Sequence, residues 1–395
     1  MDFSELGIND LSGIGYQCGC GKHHSFPCRI LLSYFSAFAA VPDIFPAGRI
    51  LFLWNGECML RYGERLRSVT ERKQCVHVVV NSGDGGNLFA LYDDIVGAIV
   101  MGDKETYSVA RAYATLRRIP LIAVASGMNL DGIFNPSVRF RTAAGELKLH
   151  AALPDVLFAD RNVLRTDESG TAAAFLRIFA TRLDVLDTEF QSEMGRKPCE
   201  NMQKLHSGIA AYKRKEEEEY IDGLFGAVLC AVFCEREQGR CGSAEIVASL
   251  MMEKGMEEYP ARYWSTKTVL AVYRAYLERK SVCGYPITDY AARVRRAATL
   301  TPYSEREILQ KMRIPTATQQ RAREDKYLAM QDRYLSRLQV LESEFAEAEK
   351  MAYRLGGEVP YIAPDALRMA FSVLPELAPH TALPAVLRDA GCWLL

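Results

Sequence analysis

The sequence predicts two domains of different class. A Rossmann-like α/β domain with a parallel sheet is expected over residues 1–166, an all-helical domain over 167–395, and a cleft between them. Three observations carry this. Short apolar runs alternate with helical stretches as far as Asp160. The stretch from Ile95 to Pro136 reads as strand, glycine turn, helix, strand and Asp-Gly loop, a βαβ pattern. Beyond about Asp167 nearly every segment has helical character. Alternation followed by uninterrupted helices is the pattern of a parallel sheet and a separate helical domain.

The elements follow in order. Arg29–Ser33 reads as a strand, and Ile50–Trp54 as a buried-type strand ending at Asn55-Gly56, with a helix from Glu57 to about Val69. Val76–Asn81 is a further strand, followed by the turn-rich loop Ser82–Asn87. A glycine-rich connection of that kind is more often a turn than a phosphate site. Ile95–Met101 is broken at Gly102, a helix runs from about Glu105 to Arg118, and Pro120 precedes the strand Leu121–Ala125. The loop Ser126–Pro136 comes next, then a hairpin or loop over Arg139–His150 and a strand over Pro154–Ala159. Helices are expected over Thr171–Phe190, Tyr220–Glu235, Ala244–Lys254, Trp264–Lys280 and Ala322–Leu355, with proline-punctuated helices after residue 358. In the long helix Tyr327, Tyr334, Leu341, Ala348 and Leu355 recur every seven residues, with Met330, Leu338, Phe345 and Ala352 between them. Such a stripe marks a core-facing helix or a partner-binding coiled coil. The charge run Lys213–Glu219 reads as a solvated face.

Composition excludes several classes. The 395 residues are 49% hydrophobic and 25% charged, ordinary for a soluble protein. A net charge of −1 gives no electrostatic case for nucleic acid or an anionic membrane. No apolar run is long enough to span a bilayer, and the acidic start Met1–Glu5 lacks the features of a signal peptide. The 11 cysteines are odd in number and scattered, which fits reduced thiols in a cytoplasm. Five ligand-type side chains, Cys18, Cys20, His23, His24 and Cys28, crowd near the N-terminus. Cys18, Cys20, His23 and Cys28 have the chemistry to hold Zn²⁺. Their spacing is not that of a standard zinc finger, and a loop feeding the next strand is the alternative.

Several stretches line up with one family. They are Cys18–His24, Leu51–Asn55, Gly102–Arg111, Ala125–Pro136, Val156–Asp160 and the segment from His380 to Gly391. On these the chain resembles the glycerol-1-phosphate dehydrogenases, within the wider superfamily of iron-containing alcohol dehydrogenases, glycerol dehydrogenases and dehydroquinate synthases. The resemblance implies a nucleotide-binding α/β domain packed on a helical one, with NAD(P) and a divalent metal in the cleft. It implies a small, phosphorylated or polyol-type ligand, and a homodimer or protein partner. It places Gly102, Lys104 and Ser126 at cofactor positions and Asp131 facing the substrate hydroxyls. Asp131-Gly132 also makes a turn without any substrate.

The departures decide the expected function. Where the family has G-S-G-T, this chain has Gly102-Asp103-Lys104-Glu105. Lys104 crowds the approach to a pyrophosphate, and each added carboxylate costs about 1–4 kcal/mol beside one. The place of the family's metal-binding Asp falls at Arg177-Ile178, with Asp184 and Asp187 the nearest carboxylates. The S-E-H-x-x-x-H run becomes Ala244–Leu250, which keeps Glu245 and loses both histidines, and Pro260–Tyr263 occupies the region of the remaining ligand. No histidine lies between His206 and His380. The expectation is a divergent relative without the family's metal or its NAD(P) dehydrogenase activity, kept as a pseudoenzyme or binding subunit. The alternative is an enzyme on a phosphorylated or polyol substrate, with Asp131 and Glu245 as catalytic candidates and Lys104, Arg111, Arg262 and Lys267 beside them.

Overall fold

A computed structural model describes residues 11–13, 15–17, 23–26, 28–33, 43–70, 74–80, 94–130, 132–135, 137–142, 145–194, 217–238, 242–279, 289–362, 364–380 and 382–393. The chain divides into two compact units, one of residues 1–17, 23–171 and 207–237, the other of 18–22, 172–206 and 238–395.

The first unit is built on a six-stranded sheet of β3 (Arg29–Ser33), β4 (Arg49–Trp54), β5 (Cys75–Val79), β6 (Ile95–Met101), β7 (Leu121–Val124) and β10 (Val156–Asp160). All pairings are parallel, in the order β3-β10-β7-β6-β4-β5. Two small antiparallel pairs accompany it: β1 (Gly15–Gln17) with β2 (His23–Ser25), and β8 (Ser137–Thr142) with β9 (Gly145–His150). Apart from Arg49 and Asp160 at strand ends, the central strands are apolar because both faces are covered, as in parallel sheets generally. Gly97 in β6 is required, since a Cβ there would lie 2.3 Å from the Phe45 ring.

Helices α1 (Gly56–Thr70), α2 (Lys104–Arg117), α3 (Arg161–Arg165) and the start of α4 (Glu168–Glu193) complete the βα units. Arg118 closes α2 in the left-handed conformation, and Pro120 prevents its continuation. Helix α5 (Glu217–Gln238) belongs mostly to the same unit, where Arg161 makes a two-pronged ion pair with Asp222 at 2.7–3.1 Å.

The second unit is all helical: most of α4, then α6 (Ser243–Glu253), α7 (Glu258–Leu277), α8 (Tyr290–Leu300), α9 (Glu305–Lys311), α10 (Ala317–Gly356), α11 (Pro364–Leu377) and α12 (Leu383–Asp389). Their apolar faces share one core. The heptad stripe of α10 lies in that core, with Tyr327, Met330, Tyr334, Leu338, Leu341, Phe345, Ala348 and Ala352 buried.

Helices α4, α5, α7 and α10 start earlier than their apolar patterns suggest, α7 and α10 by more than a turn. Helix α7 begins at Glu258 because Pro260, in the first turn, forgoes an N–H that has no intrahelical partner there. Helix α10 begins at Ala317, where Thr316 and Gln319 form a reciprocal capping box. Among the described residues no helix is long and apolar enough to cross a membrane.

Candidate functional site

In the parallel sheet, β4 is followed by β5 on one side and by β6 on the other. The crevice beyond the carboxyl ends of β4 and β6 is therefore the topological switch point, where ligands bind in such sheets. Trp54 and Met101 are in register, and Met101 is in register with Val124, so the loops after these strands meet at one edge.

Side chains from those loops are tied to one another. Asp103 caps α2: its Oδ1 accepts from Thr106 N and Thr106 Oγ1, both at 2.8 Å. Its Oδ2 accepts from Asn55 Nδ2 at 3.2 Å, and Asn55 Oδ1 accepts from Cys58 N at 2.9 Å in the first turn of α1. One carboxylate thus sits on the N-terminus of α2 and is linked to α1. The positive end of a helix dipole favours an anion at that place. Here the chain supplies the anion itself.

The residues that the resemblance places at cofactor positions, Gly102, Lys104 and Ser126, are in this region. Gly102 is buried, and a Cβ there would meet the Thr106 side chain at 2.8–2.9 Å. Ser126 Oγ donates to Gly102 O at 2.7 Å, holding the two loops together. Lys104 is exposed, and its backbone lies about 3 Å from where a Gly132 Cβ would stand. Gly132 has φ +88°, a conformation that glycine adopts without strain. Asp131 lies outside the described residues, as do Cys18, Cys20 and the loop 82–87. Of the remaining cluster, His23 is exposed in β2, while Cys28 is buried just ahead of β3. Among the described residues no group of three or more His, Cys, Asp or Glu is placed to hold a metal ion.

Burial, with Glu57 and Asp103 nearby, pushes the Cys58 thiol up to about 12, which disfavours its thiolate. Tyr107 donates to Val124 O at 2.6 Å, and burial raises its phenol. Arg111 donates to the carbonyls of Gly132, Ala151 and Ala152 at 2.8–2.9 Å, so its guanidinium holds loops rather than facing a ligand.

Asp167 is a site-loop residue that the motif reading passes over. It accepts from Met128 N at 3.0 Å and from Gly170 N at 2.9 Å. A Cβ at Gly127 or Gly170 would fall about 2 Å from its carboxylate. The Ser126-Gly127-Met128 segment was legible as a loop, but its partner is some 40 residues away.

The helical unit holds the other candidates. Glu245 on α6 is buried, and its Oε2 accepts from Arg262 Nη1 on α7 at 2.5 Å. Its Oε1 accepts from Ser249 Oγ at 3.4 Å and lies 4.0 Å from Arg177 Nη2 on α4. Arg262 Nε donates to Glu258 Oε1 at 2.6 Å. Beside this, Asp187 accepts from Tyr273 Oη at 2.6 Å and from Ser243 N at 3.1 Å, and Ser243 Oγ joins Tyr273 Oη at 2.6 Å. Burial pushes Asp187 up to about 6, partly offset by these hydrogen bonds. Lys267 is paired with Glu349 at 2.9 Å and with Tyr263 Oη at 2.6 Å on the outer side of α7.

No family model matches the chain. No curated protein matches it either. Similarity is found to solved structures with a parallel α/β domain and a helical domain. A probable glycerol dehydrogenase from Sinorhizobium meliloti 1021 superimposes with a TM-score of 0.50 at 13% identity, covering 77% of this chain and 97% of that one. A sulfoacetaldehyde reductase from Bifidobacterium kashiwanohense, in complex with NAD+, gives 0.49 at 11% identity over 89% and 98%. An iron-containing alcohol dehydrogenase from Thermotoga maritima gives 0.44 at 11% identity, again over 89% and 98%. Identities this low show the fold alone. The chain thus shares the fold of the probable glycerol dehydrogenase structure.

Proposed function

We propose that this chain is a divergent relative of the glycerol-1-phosphate dehydrogenases that keeps the fold as a binding protein or subunit without their metal-dependent NAD(P) chemistry. The observation that carries this is Asp103. Its carboxylate caps α2 at the switch point, where a dinucleotide pyrophosphate would otherwise rest. The residues present do not fit a pyrophosphate there. It would meet a fixed negative charge, and the backbone N–H of Thr106 is already satisfied.

The metal positions that the resemblance implies fit no better. Arg177, Ile246, Leu250 and the Pro260–Tyr263 segment offer guanidinium, apolar and aromatic groups. A guanidinium has no lone pair to give a cation. Glu245 is engaged by an arginine. Hydride transfer in such a site relies on a Lewis-acid metal to polarise the alcohol or ketone. The structural ties of Arg111, Glu245, Arg262 and Lys267 also weigh against an altered active site built from them.

The test is a calorimetric titration with NADH and NADPH of the wild type and of Asp103→Ser. Serine keeps the helix cap while removing the charge. The expected result is no saturable binding to the wild type up to millimolar dinucleotide and measurable binding to the variant. Micromolar binding by the wild type would refute the proposal.

A further inference from the structure

One set of buried polar contacts in the helical unit joins three helices, and a second, of Arg293 with Glu376 and of Arg323 and Arg388 with Asp389, joins others. In the first, Arg177 comes from α4, Glu245 from α6, and Glu258 and Arg262 from α7. The side chains of Arg177, Glu245 and Arg262 are 5% exposed or less, and that of Glu258 is 13% exposed. Removing guanidinium groups from water to this degree costs several kcal/mol each unless they are paired. Here two guanidiniums meet two carboxylates. Ser249 supplies a further hydrogen bond to Glu245. Around it the same helices pack through Leu176, Ala180 and Leu183 of α4, Ile246, Val247 and Leu250 of α6, and Ala261 and Tyr263 of α7.

We infer that this ion network is the cross-link of α4, α6 and α7 and stands in for the metal that the resemblance places among the same helices. A metal bridging side chains of separate helices ties them together, and its binding energy is folding energy. The network provides the same tie by charge. Arg262 is its hinge, because Nε and Nη1 engage two different carboxylates, Glu258 one turn away on α7 and Glu245 on α6. A planar fork with fixed donors suits that role, and a lysine ammonium does not reproduce it.

This inference rests on the reading that the metal site has been replaced, but the two fail separately. The experiment is thermal unfolding of the full chain, before and after dialysis against a chelator, for the wild type, Glu245→Gln, Arg262→Gln and the double variant. Chelation is expected to leave the wild-type midpoint unchanged. Each single variant should lose about 10 °C, because a buried charge is left unmatched. The double variant should lose no more than the worse single one, the sign of a shared interaction. Should a single variant not fold, Arg262→Lys supplies the reading: a smaller loss of a few degrees supports the network. An unchanged midpoint for Glu245→Gln or Arg262→Lys, or additive losses, would overturn the inference while leaving the proposed loss of activity standing. A wild-type midpoint that falls on chelation would overturn it too. Metal-dependent oxidation of NAD(P)H would instead refute the functional reading.

Discussion

Asp167 shows what a single residue does at the edge of the sheet. Its two oxygens are shared between Met128 N and Gly170 N, so one carboxylate fixes the loop after β7 to the first turn of α4. Both neighbouring glycines are there for its sake, since a methyl at either would overlap the carboxylate. Gly170→Ala should therefore displace Asp167 and cost about 2 kcal/mol, measured by urea unfolding, through the two hydrogen bonds released. A change below about 0.5 kcal/mol would mean that the carboxylate swings away freely. The sequence showed Asp131-Gly132 as a loop signal because both residues are adjacent. It could not show Asp167, whose partners come from elsewhere in the chain. Asp103 was legible in kind but not in role. Its charge beside the glycine turn was visible, whereas its bond to Asn55 depends on β4 and β6 lying side by side.

At the scale of elements, the α/β part was the more legible. Ile95–Met101 and the buried strand Leu121–Val124 announce themselves as short apolar runs between turn signals. The helical boundaries were less so, because capping boxes at Thr316 and Ser304 act a turn or more before the apolar pattern begins. The junction of α4, α6 and α7 makes a pH prediction. Asp187 holds its proton to about 6 in the folded protein, against an ordinary value of 3.8. The folded state thus binds more protons than the unfolded one between these values, and this group's contribution to stability falls as pH rises through that window. The loss amounts to about 3 kcal/mol at most. Asp187→Asn cannot titrate, and its amide faces the Ser243 N–H poorly. The variant should be less stable than the wild type at pH 4, with the gap narrowing by up to about 3 kcal/mol at pH 7. A gap that stays constant across this range would show that Asp187 is ionised throughout.

For the whole molecule, the sequence carried the class of each part and its differences from the family it resembles, since these depend on residue types in fixed places. It could not carry the pairing of Arg177, Glu245 and Arg262, which are spread over 86 positions and meet only in the folded helices. The absence of histidine between His206 and His380 was visible, and this pairing was not. The proposed loss of metal-dependent dehydrogenase chemistry rests on the capped switch point and on the ion network together. The most direct test is an assay of NAD(P)H oxidation by dihydroxyacetone phosphate, with Zn²⁺, Ni²⁺ or Fe²⁺ supplied in turn to the purified protein. The account predicts no turnover above the protein-free rate with any of them. Saturable turnover that appears with one metal and vanishes on chelation would contradict it.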